Sequence, residues 1–318
     1  MQHYLTRDDL ITVAKLYYLG NKTQNEISDI LGVSRQKVAR MLALARERKI
    51  IEFRINSSAL YLEQMGEKIQ KEFRLKKVVV TPCTYSKSDD VLEMIKVVKD
   101  YLDKTLHDNM NIGLSFSTTV DEFVKHYTSK TRINNASVIQ ILGGTLIEQG
   151  STDARQIIQE FAKKIGAVPK ILQAPLVVHN SLLKSLLLQE PEISAHFELF
   201  NHLDLAIISF GSDRPDESLL YKAGYINHVE SASLIEQGLT ADICARRFTA
   251  DGELAVTPLN DRIIGIEIAT LKKIPVIMGL GFGNERAPSI IAAAKAGLVN
   301  ILFLDESAAV SVISQANI

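Results

Sequence analysis

The clearest structural pattern in the amino-terminal part of the chain is the segment Thr23-Gln-Asn-Glu-Ile-Ser-Asp-Ile-Leu-Gly-Val-Ser-Arg-Gln-Lys-Val-Ala-Arg-Met-Leu42. Thr23 with Glu26 three residues later forms a capping-box pattern, which predicts that a helix starts there. Gly32-Val33 predicts a tight turn, and Ser34 can cap the helix that follows. We therefore expect two helices joined by a turn.

The apolar residues of this stretch fall on one face of each predicted helix. The inner face of the first is lined by Ile27, Ile30 and Leu31, and that of the second by Val38, Met41, Leu42 and Ala45. The second helix then presents a polar face to solvent, made of Arg35, Gln36, Lys37 and Arg40. This pattern predicts a helix-turn-helix, whose second helix enters the major groove of DNA.

In a DNA-binding role, the chemistry of each polar side chain suits it to contact either bases or phosphates. Arg pairs with guanine O6/N7 and Gln with adenine N6/N7, so the candidates for base contacts are Arg35, Gln36 and Arg40. The candidates for phosphate contacts are Thr23, Gln24 and Lys37, and Ser34 at the start of the reading helix completes the set. A three-helix packing unit with a solvated charged face is the alternative that involves no DNA.

The charge of the chain is unevenly distributed. The 318 residues carry a net charge of −1, whereas residues 1 to 56 hold ten Lys/Arg against six Asp/Glu and so carry +4. Phosphate contacts by basic side chains supply most of the non-specific affinity for nucleic acid. Only the first part of the chain is therefore expected to attract DNA.

Segments on either side extend this first domain, which we place at residues 1–56. Residues 7–20 carry a helical apolar stripe, and Lys49–Ile55 alternates like a short strand, which predicts a wing behind the motif. Residues 57–75 predict a linker helix with one apolar face. Periodicity leaves open whether that face packs on the next domain or on a second copy.

Residues 76–318 alternate short β-branched runs with amphipathic segments, which predicts a mostly parallel, doubly wound α/β sheet. The strand candidates are 77–81, 111–114, 138–142, 203–208, 275–278 and 299–303, and the helix candidates are 89–105, 119–129, 152–165, 181–189 and 286–296. Ligands on such sheets bind beyond the carboxyl ends of the strands, so the loops there are the first candidates for a site.

Two of these loops stand out. Gly113-Leu-Ser-Phe-Ser-Thr-Thr119 lies between a strand and a helix, where backbone N–H groups and hydroxyls suit a phosphate or another anion. Gly143-Gly144-Thr145 ends another strand, and its missing side chains would let a ligand approach the backbone. An ordinary Ser/Thr cap and a simple turn are the alternatives.

Other classes of protein fit the sequence poorly. Gly279-Leu-Gly-Phe-Gly283 lacks the third glycine of a dinucleotide fingerprint at the usual offset, and the seven His and two Cys residues show no metal-ligand spacing. No apolar run approaches the roughly 20 residues needed to span a bilayer, and the first residues contain no signal-peptide pattern. We expect a cytoplasmic protein that contacts no membrane and needs no metal or cofactor.

The sequence resembles the SorC/DeoR-type sugar-binding transcriptional regulators along nearly its whole length. The amino-terminal resemblance lies in Leu16–Gly20 and Thr23–Leu42. Further along the chain it lies in 112–119, 142–145, 173–175, 241–243, 251–252, 281–286 and 300–306. The resemblance implies a carboxyl-terminal domain of the Rossmann-like, phosphosugar-isomerase type that senses a phosphorylated sugar without converting it.

The resemblance also implies roles for individual residues. The phosphate-binding positions are Gly113, Ser115, Ser117, Thr118, Thr119, Gly143 and Gly144. Asp242 falls where the family contacts sugar hydroxyls, and Arg286 stands where many relatives carry Lys, so a Schiff base is excluded there. Ser117 and Ala241 replace glycines that are common in the family.

The resulting hypothesis is a regulator of a carbohydrate-utilisation operon. A homodimer or homotetramer binds a double-stranded DNA operator, and a sugar phosphate controls its operator affinity. Two alternatives remain at this stage: an enzyme that converts sugar phosphates and carries an accessory DNA-binding head, and a DNA-binding module whose second domain only oligomerises.

Overall fold

The computed structural model describes residues 6–51, 59–84, 86–129, 132–144, 153–212 and 218–318. The chain divides into two compact units, Met1–Ile55 and Asn56–Ile318. No helix among the described residues has the length and apolar character that crossing a membrane requires.

Residues 6–51, the described part of the first unit, contain three helices: α1 (Arg7–Ala14), α2 (Gln24–Leu31) and α3 (Arg35–Glu47). A π-helical turn, Lys15–Leu19, continues α1. The helices enclose a small core formed by Leu10, Val13, Ile27, Val38, Met41, Leu42 and Ala45. The predicted strand at Lys49–Ile55 extends into residues 52–58, which lie outside the described residues.

The prediction that Ile30 belongs to the core of this unit is wrong. Ile30 is 56% exposed, whereas Ile27 on the same helix is fully buried. With 3.6 residues per turn, Ile27 and Leu31 lie close to one line along the helix. Ile30 is rotated about 60° from Ile27 around the helix axis, on the side away from Leu31. An eight-residue helix against a small core therefore buries the line through Ile27 and leaves Ile30 in solvent.

The second unit is built on one parallel sheet of seven strands, in the order β1-β9-β8-β5-β2-β3-β4. The α/β class expected from the sequence is confirmed. The strand bounds are β1 (Lys77–Thr81), β2 (Asn111–Leu114), β3 (Ser137–Gln140), β4 (Val168–Lys170), β5 (Leu205–Ser209), β6 (Ala241–Ile243), β7 (Arg246–Phe248), β8 (Val276–Gly281) and β9 (Ile301–Asp305). Strands β6 and β7 form a separate antiparallel hairpin.

Eleven helices accompany these strands in the described part of the second unit. They are α4 (Ala59–Glu72), α5 (Lys87–Thr105), α6 (Thr118–His126), α7 (Ala154–Ile165), α8 (Ser181–Leu187), α9 (Pro191–Leu199), α10 (Leu219–Lys222), α11 (His228–Glu236), α12 (Ile268–Leu271), α13 (Ala287–Lys295) and α14 (Glu306–Ala316).

Helix α4 occupies the segment that the sequence predicted as a linker helix. Its apolar residues Leu62, Met65 and Ile69 are buried in the same core as Val78 and Val80 of β1. A Cβ on Gly66 would lie 3.1 Å from the backbone oxygen of Val78, so helix and strand approach closely. The structure thus favours packing on the α/β unit over the other option, pairing with a second copy.

The six predicted strands all occur, and the edge strand β4 and the hairpin β6–β7 were not predicted. Strand β4 has three exposed residues and contains Pro169, so it has neither alternation nor a buried face. Close packing accounts for Gly279 and Gly281 in the segment Gly279–Gly283. Cβ atoms on these two glycines would lie within 2.7 Å of the side chains of Phe210 and Leu304, respectively.

The strand order identifies one place where ligands bind in folds of this kind. From β2 the chain continues to β3 and β4 on one side, whereas β5 pairs with β2 on its other side and leads towards β8. The carboxyl ends of β2 and β5 therefore flank a topological switch point, where a crevice opens.

Candidate functional site

Hydrogen bonds at the helix ends and across the turn hold α2 and α3 together. The Thr23 N–H donates to Glu26 Oε2 at 2.7 Å, and the Glu26 N–H donates to Thr23 Oγ1 at 3.3 Å, which confirms the capping box. The Ser28 hydroxyl donates to the Val33 carbonyl oxygen at 2.5 Å across the turn. Gly32 has φ +61°, in the left-handed region.

The polar side chains of α3 lie on its outer surface. Arg35, Gln36 and Arg40 are exposed and Lys37 is half-buried, while Val38 between them is fully buried. Ser34 Oγ accepts the Lys37 N–H at 3.2 Å and so caps the helix. The first two turns of α3 therefore present two guanidinium groups and one amide to solvent.

The remaining DNA-binding candidates lie at the start of α2. Thr23 is exposed and Gln24 is half-buried. The Thr23 hydroxyl also donates to Glu26 Oε2 at 3.0 Å, so both its donor and its acceptor serve the cap. A contact from Thr23 to a phosphate would therefore compete with its role in the cap.

Hydroxyl groups gather where β2 and β5 end. Ser117 Oγ accepts the Val120 N–H at 3.0 Å and caps α6, and the Ser209 hydroxyl at the end of β5 donates to it at 2.7 Å. The Ser115 side chain is buried, and its hydroxyl has no hydrogen-bond partner among the described residues. Thr118 is exposed and Thr119 half-buried in the first turn of α6.

Gly113 precedes this loop. It is inside β2, paired with Ile139 and Ala206 on the neighbouring strands. A Cβ there would lie 2.8 Å from Ile141 Cγ2 and 3.0 Å from Leu203 Cδ1. Dense packing between strands therefore explains this glycine.

Gly143 and Gly144 are placed close to the chain itself. The Gly143 N–H donates to the Ile264 carbonyl oxygen at 3.0 Å, and the Gly144 N–H to that of Ala174 at 2.8 Å. A Cβ on Gly143 would lie 2.3 Å from the Pro175 oxygen. Pro175 therefore occupies the space beside Gly143 that the sequence suggested for a ligand. The N–H groups of Gly143 and Gly144 already donate to carbonyl oxygens of the chain. Thr145 lies outside the described residues.

Asp242 lies on β6, beside the loop that follows β5. Its carboxyl group lies against Gly211, because a Cβ on that glycine would be 2.5 Å from Asp242 Cγ. The Gly211 N–H donates to the Asp242 carbonyl oxygen at 2.9 Å, and the Ser289 hydroxyl donates to the Gly211 oxygen and accepts the Asp242 N–H. Three segments distant in sequence thus fix this carboxyl group next to the end of β5.

Alternating charges surround the Asp242 carboxyl group. Burial raises its pKa, and the positive charges of Arg247 and Arg286 act in the opposite direction. Asp242 Oδ2 is 3.9 Å from Arg247 Nη2, and Arg286 Nη2 is 3.9 Å from Glu285 Oε1. The hypothesis from sequence contained Asp242 and Arg286 and missed Arg247, Glu285 and Ser209. The tandem Arg246-Arg247, close after Asp242 in the sequence, was the available signal for Arg247.

One group of metal-ligating residue types occurs in the described part of the chain: Cys83, Asp90 and Asp305. Asp305 Oδ1 accepts the Ala308 and Gly283 N–H groups at 2.9 and 3.1 Å, and Asp90 accepts the Thr84 N–H. Burial and the Asp305 charge raise the pKa of the Cys83 thiol to about 11, which disfavours the thiolate that metals bind. Hydrogen bonds that cap α14 and fix the β1 loop account for these carboxylates.

Comparison with known proteins agrees with this architecture. Residues 59–314 match the Sugar-bind family model, described as "Putative sugar-binding domain". The chain is 28% identical over 301 residues to the deoxyribonucleoside regulator of Bacillus subtilis strain 168, covering 94% of this chain and 95% of that protein. It is 25% identical over 313 residues to the sorbitol operon regulator of Klebsiella pneumoniae, covering 94% and 96%.

A solved structure shows the same fold. The full-length sorbitol operon regulator SorC from Klebsiella pneumoniae superposes with a TM-score of 0.70 at 23% identity, over 94% of this chain and 96% of that one. The chain belongs to the sugar-binding transcriptional regulators of the SorC/DeoR type. The expectation of a sugar-responsive operon regulator is confirmed, and these relatives are named as regulators and not as enzymes.

Proposed function

We propose that this chain binds an operator through the helix-turn-helix of α2 and α3, and that a sugar phosphate bound in the α/β unit changes its operator affinity. The observation that supports it most directly is the pairing of an exposed basic reading helix in one unit with buried, incompletely bonded polar groups at a sheet switch point in the other. The second unit is, on this proposal, a phosphosugar-isomerase-type domain used for sensing.

The DNA contacts follow from the exposed end of α3. The second helix of such a motif places its amino-terminal residues against base edges in the major groove. Arg35, Gln36 and Arg40 are exposed there and have the donors that read guanine and adenine. Lys37, Gln24, Thr23 and Ser34 would then hold the flanking phosphates.

The phosphate of the effector would bind at the start of α6. The N–H groups in the first turn of a helix have no acceptor within the helix and carry its positive dipole end. The neighbouring hydroxyls are those of Ser115, Ser117, Thr118 and Ser209, of which Ser115 has no partner among the described residues. A phosphate supplies the acceptors that these donors need.

The sugar would extend from there towards Asp242 and Arg286. A buried carboxylate accepts hydrogen bonds from sugar hydroxyls, and a guanidinium donates to hydroxyl or carbonyl oxygens. Two relatives are named for deoxyribonucleosides and for a sorbitol operon, so polyhydroxylated carbon chains are the natural probes.

Regulation requires an oligomer and a link between the two units. Two copies related by a two-fold axis would place their α3 helices on half-sites about 34–36 Å apart. Occupancy of the sugar site would shift the population between two arrangements of the oligomer. Such coupling is typically worth about 1–3 kcal/mol, which is about a 5- to 150-fold change in operator affinity.

The test combines two measurements on the full chain. A thermal-shift screen uses sorbitol 6-phosphate, 2-deoxyribose 5-phosphate, ribose 5-phosphate, glucose 6-phosphate and the corresponding free sugars. Fluorescence anisotropy on the DNA upstream of the gene then measures operator affinity with each ligand that raises Tm. We expect a phosphorylated sugar to raise Tm and to change the operator affinity.

The double variant Ser115→Ala/Thr118→Ala provides the control. It removes two hydroxyls from the phosphate site, so it should fold, bind DNA and lose the response to the sugar phosphate. A normal ligand-induced shift in this variant would remove the phosphate-site assignment. Failure of every upstream DNA fragment to bind at low salt would remove the DNA-binding proposal.

A further inference from the structure

Arg247 lies directly opposite Asp242 in the β6–β7 hairpin. Residues that face each other across an antiparallel pair project their side chains to the same side. Arg246, the preceding residue, therefore projects to the other side, where its Nη2 donates to the Gly265 oxygen at 3.2 Å and lies 3.4 Å from Glu267. The two consecutive arginines thus serve different surroundings.

Arg247 is almost completely buried and incompletely bonded. Its side chain is 2% exposed, yet its nearest contact with the Asp242 carboxylate is 3.9 Å, beyond the 2.7–2.9 Å of a charged hydrogen bond. Its Nε has no hydrogen-bond partner among the described residues. A guanidinium kept only to hold the hairpin together would be expected to bond directly to the carboxylate that faces it.

The geometry places this pair at the far end of the proposed sugar site. Ser209 touches Ser117 at the start of α6, and Gly211, two residues on, lies against Asp242. Two residues span at most about 7 Å. The backbone between Ser209, which contacts the start of α6, and Gly211, which contacts Asp242, is therefore no longer than one sugar phosphate.

The charges decide which end of the ligand meets Arg247. Glu285 and Asp242 are carboxyl groups near Arg286 and Arg247, so two acidic side chains accompany the two guanidinium groups. A phosphate dianion placed there would meet two carboxylates. An uncharged oxygen accepts from a guanidinium, and a hydroxyl at the same place can also donate to a carboxylate.

We propose that Arg247 is a specificity-determining residue, whose guanidinium donates through Nε to a carbonyl or hydroxyl oxygen at the unphosphorylated end of the effector while Asp242 accepts from a neighbouring hydroxyl. The inference rests on the proposed function. It adds that Arg247 discriminates a sugar phosphate from phosphate alone.

The test compares Arg247→Lys with Arg246→Lys by calorimetric titration of the full chain. Lys keeps the positive charge opposite Asp242 and lacks Nε and the planar fork. Arg247→Lys should weaken binding of the sugar phosphate that raises the wild-type Tm by about tenfold or more. It should leave binding of inorganic phosphate, the probe for the start of α6, unchanged. Arg246→Lys, the same change one residue away, should alter neither affinity.

Each result decides the question. Equal affinity of wild type and Arg247→Lys for the sugar phosphate overturns the inference, as does a parallel loss of inorganic phosphate binding. Circular dichroism and Tm without ligand establish that the variant folds, and Arg247→Gln, which retains side-chain donors without the charge, takes its place if it does not. If no sugar phosphate in the panel binds the wild type, the proposed function fails as well. If the wild type binds a sugar phosphate and Arg247→Lys binds it equally well, the role of Arg247 is wrong and the proposed function still stands.

Discussion

At Gly32 the backbone has φ +61°, and the space beside its Cα is open, since no atom lies within 4 Å of where a Cβ would be. The requirement for glycine is therefore one of backbone conformation and not of packing. For an L-residue the left-handed conformation costs roughly 1–2 kcal/mol, and Asn tolerates it better than Ala.

We predict that Gly32→Ala loosens the turn between α2 and α3. Amide hydrogen exchange in residues 24–47 should become about 5- to 30-fold faster, the factor that corresponds to 1–2 kcal/mol. Gly32→Asn should give a clearly smaller increase. If the two variants exchanged equally fast, the conformational explanation would be wrong.

At the scale of elements, the cap of α2 connects its stability to pH. The Thr23 backbone N–H and its hydroxyl hold the pKa of Glu26 below its ordinary value. A lowered folded-state pKa means that the ionised carboxylate stabilises the helix. That contribution is complete above the ordinary Glu pKa of about 4.3 and disappears as the pH falls through the lower folded value.

We predict that acid weakens the amino-terminal end of α2 through this group. Between pH 6 and 3 the protection factors of α2 amides, corrected for intrinsic exchange, should fall in the wild type. Glu26→Gln should be less protected at pH 6 and should lack this component of the fall. Identical pH profiles for both proteins would exclude the capping carboxylate as the cause.

Arg40 in α3 and Arg48, which directly follows the helix, are a matched pair of basic residues for testing the proposed DNA-reading end of α3. Arg40 and Arg48 are both exposed, eight residues and so about 12 Å apart along the helix. Arg40→Ala should weaken operator binding, and if Arg40 contacts a phosphate the slope of log affinity against log salt should fall by about one. Arg48→Ala should have a much smaller effect in the same anisotropy titrations. Equal losses would indicate a general effect of charge.

At the scale of the whole molecule, the proposed oligomer makes operator binding depend on spacing. Two reading helices held by one assembly fit half-sites only at a fixed distance and on one side of the duplex. On the proposed function, each copy would bind its effector in the α/β unit, at the switch point between β2 and β5.

We predict that inserting five base pairs between the half-sites, about half a helical turn, abolishes tight binding, and that ten base pairs restore part of it. Anisotropy titrations measure the affinity, and sedimentation velocity of the complex gives the number of chains per operator. Unchanged affinity after the five-base-pair insertion would show that the chains bind independently.

Local pattern was sufficient for some features of this protein. The capping box at Thr23 and Glu26, the cap at Ser34 and the six long strands depend on hydrogen bonds and periodicities within a few residues. The same local patterns carried the family resemblance. Short or atypical elements such as β4, with Pro169 and no buried face, have no local signature and were missed.

The candidate site depended on contacts between distant segments. Loop glycines such as Gly143 could not be distinguished in sequence between room for a ligand and room for the chain, and the structure places Pro175 there. Asp242 could be named from the resemblance, but its partner Arg247 follows from hairpin register, and its place beside Gly211 follows from the contact between the hairpin and the loop after β5.

Short-range patterns were therefore enough to predict the caps of α2 and α3, the α/β class and the kind of regulator. Each of these depends on residues that are close together in the chain. The contacts of the folded chain were needed to show which polar groups lie close together and which of them lack hydrogen-bond partners among the described residues. Those contacts join residues far apart in the chain, such as Ser117 and Ser209, which are 92 positions apart, through a sheet whose strand order no local pattern contains.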